Sequence, residues 1–201
     1  MNYSKNIFTE FPPISNDDIF VIFERRKTDF NFPVHVHPEC EINFITGARG
    51  AVRVVGDNVE EIGDLEMVLI TGSNLEHTWK NGDKSESREI YEVTIQFSPD
   101  LLSQGGFLDK KHFAPIRKMF QDGQNGIAFS EQVIRQSGAI IQQILASKDG
   151  FNSFLMFLSL LNVMIGIAIL IDGIFKVIKA VISCSLAHFD LNVFSHQKVN
   201  H

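Results

Sequence analysis

The first half of the chain alternates short extended runs with turn residues, and this rhythm restricts the possible fold more than any other feature. Runs rich in β-branched and aromatic residues occupy 19–24, 41–46, 51–55, 67–70 and 90–97. Gly, Asn and Asp separate these runs, at places where a turn needs a positive φ or a side chain that bonds its own backbone. Strands repeated at such short intervals are typical of a jelly roll. We therefore predict an antiparallel barrel or sandwich.

The second half of the chain has a different spacing of apolar residues. After Pro99, apolar residues recur at three- and four-residue intervals over 107–120 and 130–146, and Ser130 before Glu131 is a plausible helix start. With 201 residues and 44% hydrophobic content, the chain is long enough for one β domain and a helical extension. We predict an α+β protein with a jelly-roll barrel at 1–98, a helical segment at 99–182 and a poorly ordered tail at 183–201.

The net charge and the cysteine content of the chain limit the partners and the cellular compartment that we expect. A formal charge of −6 and a pI near 5.6 argue against binding nucleic acid through the net field of the chain. Cys40 and Cys184 form no CxxC motif, and the first residues do not resemble a signal peptide. We expect a cytoplasmic protein with unpaired thiols, in which Cys40 is a buried and unreactive side chain.

Four side chains form a candidate metal-ligand set: His35, His37, Glu41 and His77. If 35–41 is one extended strand, its two-residue period places His35, His37, Glu39 and Glu41 on a single face. Three imidazoles and a carboxylate suit a divalent metal such as Zn, Fe, Mn or Ni and leave a position open for a ligand. The alternative is that one or two of these residues merely make hydrogen bonds inside a polar barrel mouth.

Two further residues are candidates for contact with a small-molecule effector, together with the four histidine and carboxylate positions. Trp79 follows His77 closely and is a plausible platform for stacking a sugar ring, although it is as readily explained as packing at the end of a barrel. Arg53 is a candidate for a bidentate contact to an anionic effector, although such arginines are more often solvated or paired.

The wider sequence resembles the amino-terminal cupin domain of AraC-family transcription regulators. The resemblance covers about 18–164 and is carried by the stretches 32–41, 55–57, 63–65, 69–70, 74–79, 113–116, 126–130 and 154–161. It implies a cupin barrel that senses a small effector, often a sugar or related metabolite, followed by helices that form a homodimer. In that family a carboxy-terminal pair of helix-turn-helix units then reads DNA.

The end of the chain departs from this pattern. Beyond about Met164 the family continues through a polar linker into basic helix-turn-helix units, whereas this sequence runs through 165–171 as an apolar segment and ends at His201. We expect no direct DNA binding by this polypeptide. A frameshift or premature stop would explain the change, and a native short form is the other interpretation.

The uncharged run at 150–171 has two interpretations. It meets the length needed to cross a bilayer core, but Asn152, Ser153, Ser159, Asn162 and Gly166 interrupt it and its first part resembles a soluble helix of the family. We favour burial in a dimer or helical pack over a membrane span. Residues 172–182 are predicted to continue as an amphipathic helix.

Two function classes follow. The first is the effector-sensing and dimerising domain of a transcription regulator, which performs no covalent chemistry. The second is a metal-dependent cupin enzyme of oxygenase or isomerase type, which would use an open coordination position on the metal. The sequence offers no assignable general base for the second class, so we expect a protein that is not an enzyme.

Overall fold

The computed structural model describes residues 7–15, 17–71, 74–83 and 89–165, and the backbone of 168–170. The strands are β1 (Phe8–Thr9), β2 (Phe20–Lys27), β3 (His35–Val36), β4 (Cys40–Thr46), β5 (Val52–Val55), β6 (Asn58–Glu61), β7 (Leu65–Ile70), β8 (His77–Lys80), β9 (Ile90–Phe97), β10 (Ile127–Phe129) and β11 (Ala168–Leu170). The α-helices are α1 (Ala114–Asp122), α2 (Glu131–Ala146) and α3 (Gly150–Ile165). The predictions for Cys184, for a helix at 172–182 and for the tail at 183–201 lie outside the described residues.

The described strands form two mostly antiparallel sheets. One sheet has the order β1-β3-β8-β5-β6 and the other has the order β11-β10-β7-β4-β9-β2. The exception to antiparallel pairing is β1, which runs parallel to β3. The coarse prediction of an α+β protein built on antiparallel sheets is therefore confirmed.

The six-stranded sheet separates two hydrophobic cores because its side chains alternate between faces. One face of β4 presents Ile42 and Phe44 to a core that α1, α2 and α3 complete. The opposite face presents Ile45, with Val68 and Ile70 of β7, to a smaller core shared with the five-stranded sheet. The polar groups Glu41 and Asn43 lie on this second face, so the space between the sheets is apolar in one part and polar in another.

The helices cover the outer face of the six-stranded sheet by close ring packing. Phe157 of α3 is 1% exposed and stacks on Phe20 at a ring-centroid distance of 4.8 Å. Its ring also meets Phe97 edge-on at 5.2 Å. Helix α2 approaches the sheet at Gly138, where an added Cβ would lie 3.1 Å from the ring of Phe44. The strands that carry the polar inner residues are therefore also the strands on which the helices rest.

The predicted helix at 107–120 is wrong in its first half. Two 3-10 turns, Phe107–Asp109 and Lys111–Phe113, precede α1 at Ala114–Asp122. Pro115 explains the boundary, because proline lacks a backbone N–H and is tolerated only in the first turn of a helix. The helix predicted at 130–146 is confirmed, with Ser130 at the cap position before α2.

The segment predicted as helical also contributes strands. Residues 127–129 form β10, which pairs with β7, and 168–170 form β11, which pairs with β10. The uncharged run at 150–171 is thus a 16-residue helix followed by a strand, instead of one continuous helix. Within the described ranges, no helix combines the length and the apolar character that a membrane span requires.

The early strands agree with the prediction except between β3 and β4. The expected continuous strand at 35–41 is interrupted at 37–39, because Pro38 has no N–H to donate and the His37 ring nitrogen Nδ1 bonds to the Glu39 carbonyl at 3.0 Å. The sequence also did not indicate β6 or β8, because neither segment was among the predicted runs.

Candidate functional site

The pairing of two short strands brings the predicted ligand set together. In the β3–β8 register His35 lies directly opposite His77, and His37 and Glu41 follow on the approach to β4. One ligand atom from each of these four residues lies within 4.8 Å of every other. All four side chains are buried. The sequence-predicted set is thus a compact cluster in the structure.

The three imidazoles are oriented by the backbone. His35 Nδ1 donates to the Pro33 carbonyl at 3.0 Å, His37 Nδ1 to the Glu39 carbonyl at 3.0 Å and His77 Nδ1 to the Leu75 carbonyl at 2.7 Å. A carbonyl oxygen only accepts hydrogen bonds, so each Nδ1 carries a proton and each Nε2 faces the cluster. His37 Nε2 donates to Glu41 only when that ring is protonated on both nitrogens. A metal-binding histidine is fixed in the same way, through the ring nitrogen that does not bind the metal.

His77 provides the test of whether this cluster fits a metal. Its Nε2 is buried and has no hydrogen-bond partner among the described residues. Burial lowers the pKa of His77 to about 4, and the nearby His35 adds to this shift. The charge of Glu41 opposes the shift but does not cancel it. A neutral imidazole with an unused buried lone pair is costly unless a donor or a cation meets it. The residues present therefore fit a divalent cation.

Glu41 supplies the negative charge of the cluster. Burial opposes its ionisation, but a hydrogen bond from His37, the charges of His77 and His37, and a hydrogen bond from Gln96 together hold its pKa at about 2. Its Oε2 lies 3.2 Å from His37 Nε2 and 4.0 Å from His77 Nε2. For His37, burial is the largest influence and disfavours the charged ring, but the hydrogen bond and charge of Glu41, the charge of Glu10 and the Glu39 carbonyl together raise the pKa. Glu41 is therefore an ionised carboxylate at neutral pH.

Two polar residues at the cluster were not predicted from the sequence. Glu10 Oε2 lies 3.5 Å from His35 Nε2 and 3.9 Å from His37 Nε2. Gln96 Nε2 donates to Glu41 Oε2 at 3.0 Å and is 3.4 Å from Glu10 Oε2. Gln96 had a detectable signal, because polar residues occupy alternate positions of the otherwise apolar strand β9. Glu10 had none, because a two-residue strand carries no periodicity.

Glu39 does not join the cluster. It was expected on the same face as His35 and Glu41, but the break at Pro38 turns it away from that face. Its carboxylate lies 3.8 Å from Nδ1 of His37, on the opposite side of the ring from the Nε2 atom that faces the cluster. Glu41 therefore lies on the expected face because β4 holds it there, whereas Glu39 does not.

A cavity of about 240 Å³ opens between the two sheets beside the cluster. Its wall combines aromatic, amide and charged groups: Glu10, Arg25, Lys27, Phe30, Asn31, Phe32, His35, Glu41, Asn43, Thr78, Trp79, Glu92, Thr94 and Gln96. Lys27 pairs with Glu92 at 2.7 Å, and the half-exposed Arg25 lies 4.0 Å from the same carboxylate. The cavity is smaller than the roughly 300–1,000 Å³ of sites for drug-sized ligands.

Two buried polar atoms on this wall have no partner among the described residues. They are the indole Nε1 of Trp79, a side chain only 6% exposed, and the amide oxygen Oδ1 of Asn43. The amide nitrogen of Asn43 is within 3.4 Å of Glu41, so the oxygen is the free end. Both residues line the cavity, and each of these two atoms needs a partner that the described residues do not supply.

Arg53 is placed differently from the other predicted residues. Its guanidinium forms ion pairs with Glu60 and Glu66 and a hydrogen bond with Asn58 at 3.1 Å. It does not belong to the cavity wall described above. Burial raises the pKa of Glu66, and the charge of Arg53 offsets part of that shift. Arg53 therefore links β5 to its neighbours through charges that are already paired.

Cys40 is buried and free, as expected, and burial raises the pKa of its thiol to about 12. A thiol with such a pKa is almost entirely protonated at neutral pH and is a poor nucleophile. It faces the helix-covered core, on the opposite side of β4 from Glu41.

Comparison with known proteins gives weak likenesses only. No protein-family model matches the chain, and no curated protein matches it. Among solved structures, ToxT from Vibrio cholerae is similar at 12% identity with a TM-score of 0.45, over 71% of this chain and 54% of ToxT. Fatty acid-bound ToxT from strain SCE256 is similar at 15% identity with a TM-score of 0.43, over 73% of this chain and 53% of that one.

A third ToxT structure, from Vibrio cholerae O395 and bound to (E)-4-(8-methylnaphthalen-1-yl)but-3-enoic acid, is similar at 12% identity with a TM-score of 0.42, over 71% of this chain and 54% of that one. The chain spans about half the length of these ToxT structures. The function of the chain must therefore be argued from its own site.

Proposed function

We propose that this chain is the small-molecule sensing domain of an AraC-type regulator, with a cupin-like barrel that holds a divalent metal at His35, His37, Glu41 and His77. The observation that carries the proposal is the cavity between the sheets, which adjoins a cluster of three oriented imidazoles with an unpartnered Nε2 on His77. The resemblance of 18–164 to the cupin domain of AraC-family regulators supports the regulatory part of the proposal.

The strand β4 connects the cavity to the helices. Glu41 and Asn43 point into the space between the sheets, whereas Ile42 and Phe44 between and beside them pack under α1, α2 and α3. A ligand that shifts β4 by a fraction of an ångström would change the contacts of the helices, since packed interiors do not deform continuously. This arrangement suits a sensor whose output is carried by the helical segment.

The helical segment also offers a surface for a homodimer. Phe151 and Leu155 of α3 are 68% and 39% exposed and are four residues apart, so they share one face of the helix. Phe107 is exposed nearby and its ring meets Phe154 of the same helix at 5.2 Å. Exposed apolar side chains grouped in this way favour a protein partner, and a second copy of this chain is the proposed one.

The effector that suits this cavity is small and hydroxylated, such as a sugar or a sugar acid. Trp79 Nε1 lacks an acceptor and Asn43 Oδ1 lacks a donor among the described residues, and a hydroxyl group that reached them would meet both needs. The aromatic rings of Phe30 and Trp79 offer apolar surface for the face of a sugar ring. A metal would supply a Lewis acid for an effector oxygen, and Glu41 would hold that metal at neutral pH.

The experiment that tests the proposal combines metal analysis with ligand screening. Metal content is measured on protein purified without chelator and after loading with Mn²⁺, Fe²⁺, Ni²⁺ and Zn²⁺. Thermal shift is then measured with neutral monosaccharides, with sugar acids and with a long-chain fatty acid as the contrasting ligand. We expect near-stoichiometric metal and stabilisation by a hydroxylated ligand. Its affinity should fall about tenfold in Trp79→Phe, which keeps an aromatic ring and removes the N–H.

Stabilisation by the fatty acid alone would overturn the proposed effector class. A chain that binds none of the metals would overturn the metal part. The matched aromatic control is Phe151→Leu on the exposed face of α3, which should leave ligand binding unchanged because this ring lies outside the cavity wall.

The second candidate function is a metal-dependent cupin enzyme. The observation in its favour is that the ligand set borders a cavity, so that a substrate could reach a bound metal. Incubating the metal-loaded chain with the ligands that stabilise it, followed by mass spectrometry of the small molecules, separates the two functions. A sensor returns the ligand unchanged, whereas an enzyme converts it over many turnovers.

A further inference from the structure

We propose that Glu10 is a second carboxylate ligand of the metal, so that the site takes five protein ligands instead of four. The proposal rests on the metal site proposed above and adds the amino-terminal strand to it. Glu10 lies 25 residues before the first predicted ligand, His35, and outside the motif that suggested the metal.

The position of Glu10 is set by the backbone. Strand β1 pairs with β3 so that Phe8 lies beside His35 and Thr9 beside Val36. The Glu10 amide then donates to the Val36 carbonyl at 3.0 Å, which continues the pairing by one residue. The Glu10 side chain therefore starts next to the strand that carries His35 and lies at the rim of the cavity.

The distances place the Glu10 carboxylate beside two of the four ligand atoms. Its Oε2 is 3.5 Å from His35 Nε2 and 3.9 Å from His37 Nε2. Ligand atoms that each lie about 2.1 Å from one ion are roughly 3 to 3.5 Å apart, and Glu41 Oε2 meets His37 Nε2 at a similar separation of 3.2 Å. Glu10 thus approaches the imidazoles in the same way as the predicted carboxylate ligand does.

Gln96 joins the two carboxylates. Its amide nitrogen lies 3.0 Å from Glu41 Oε2 and 3.4 Å from Glu10 Oε2, so one donor orients both groups. Metal-binding carboxylates commonly accept such an additional hydrogen bond from a neighbouring side chain. The shared amide holds Glu10 toward the cluster even though 27% of its side chain is exposed.

Charge gives the physical reason for a second carboxylate. A divalent cation bound by three neutral imidazoles and by Glu41 alone keeps one positive charge in a buried site, and an unpaired buried charge is unfavourable. Glu10 would neutralise that charge. A set of three nitrogens and two carboxylates also suits Mn²⁺ or Fe²⁺ better than it suits Zn²⁺, because Zn²⁺ in structural sites is tetrahedral and has four ligands.

The test uses the full chain with Glu10→Gln, and with Glu39→Gln as the matched control. Glu39 also lies near His37, but on the Nδ1 side of the ring. Mn²⁺ affinity is measured by calorimetry, and the visible spectrum of the Co²⁺-loaded protein reports the coordination number. We expect Glu10→Gln to weaken Mn²⁺ binding by about 10- to 100-fold and to intensify the Co²⁺ bands as the coordination number falls, with Glu39→Gln close to the parent.

The outcomes separate this proposal from the metal site itself. A parent chain that binds no metal overturns both. A parent chain that binds Mn²⁺ together with an unchanged affinity and Co²⁺ spectrum in Glu10→Gln overturns only the role of Glu10. Circular dichroism of metal-free Glu10→Gln shows whether the variant is folded, and Glu10→Asp, which keeps the charge, should recover part of the affinity.

Discussion

His35 and His77 face each other across the β3–β8 pair, with ring centroids 4.1 Å apart. Side chains alternate between the faces of a strand, so a slip of one residue in this register would turn one of the two rings away from the cluster. β3 is only two residues long, and each ring is also oriented by a bond from its Nδ1 to a carbonyl two residues earlier in its own segment. The geometry of the candidate site therefore depends on local backbone contacts as much as on the sheet.

His37→Ala should remove most of the metal affinity and the stabilisation that metal gives. The change deletes a buried proposed ligand that also pairs with Glu41, so we expect a loss of roughly 100-fold in affinity and a lower melting temperature of the metal-loaded chain. Metal analysis and differential scanning fluorimetry measure both effects. His112→Ala, at an exposed position, is the control. Equal metal content in His37→Ala and the parent would contradict the assignment.

The metal-free chain should lose stability as the pH falls from about 6.5 to 4. The folded pKa of His77 is about 4, below the ordinary value of 6.5, so within this window the unfolded chain binds a proton that the folded chain does not. The loss amounts to about 3 kcal/mol at most. Glu41, with its pKa lowered from 4.5 to about 2, adds a further loss below pH 4.5.

His37 acts in a different pH window. Its raised pKa contributes stability below pH 6.5 that is lost only as the pH rises through the folded pKa.

Urea denaturation of the parent and of His77→Gln between about pH 7 and pH 4.5 isolates the contribution of His77. The variant should show a shallower fall with pH. Parallel curves for the two proteins would exclude His77 as the source of the acid sensitivity.

Phe157→Ala should destabilise the chain by about 3 to 5 kcal/mol, as expected for deleting a buried aromatic ring. The Phe157 ring is 1% exposed and bridges α3 to Phe20 and Phe97 of the sheet. Phe151→Ala on the same helix removes a ring that is 68% exposed and should change monomer stability by less than about 1 kcal/mol. Denaturant unfolding of both variants gives the comparison, and similar losses would contradict the described packing of α3.

Gly82→Ala should destabilise the connection that follows β8. A Cβ at this position would lie 1.9 Å from the Gly50 carbonyl oxygen, so the backbone must move by more than an ordinary adjustment. Gly150→Ala at the start of α3 meets no atom within 4 Å and should be neutral or stabilising by up to about 1 kcal/mol. Thermal unfolding measures both changes. A stable Gly82→Ala variant would show that the two backbone segments separate easily.

Much of the fold was accessible from local sequence patterns. The runs at 41–46, 67–70 and 90–97 became β4, β7 and β9 because β-branched and aromatic residues alternate or cluster there between turn residues. The helix α2 followed from its three- and four-residue apolar spacing. Patterns of this kind predict an element only where the element is long enough to show its period.

The elements that the sequence did not predict are short or depend on distant partners. β10 and β11 have three residues each; they pair with each other, and β10 also pairs with β7 from an earlier part of the chain. The break before β4 depends on Pro38 and on a ring-to-backbone bond of His37. Glu10 joins the cluster through a two-residue parallel pairing that no local pattern indicates.

The sequence by itself determined the composition of the candidate ligand cluster, because His35, His37 and Glu41 lie close along the chain and His77 follows a predicted strand that leads back toward them. It could not decide which other groups join them. Tertiary structure brought Glu10 and Gln96 to the cluster and engaged Arg53 with Glu60 and Glu66, away from the cavity wall. The physical reason is that side-chain chemistry is local, whereas the neighbours of a side chain depend on strand register and on pairings between distant segments.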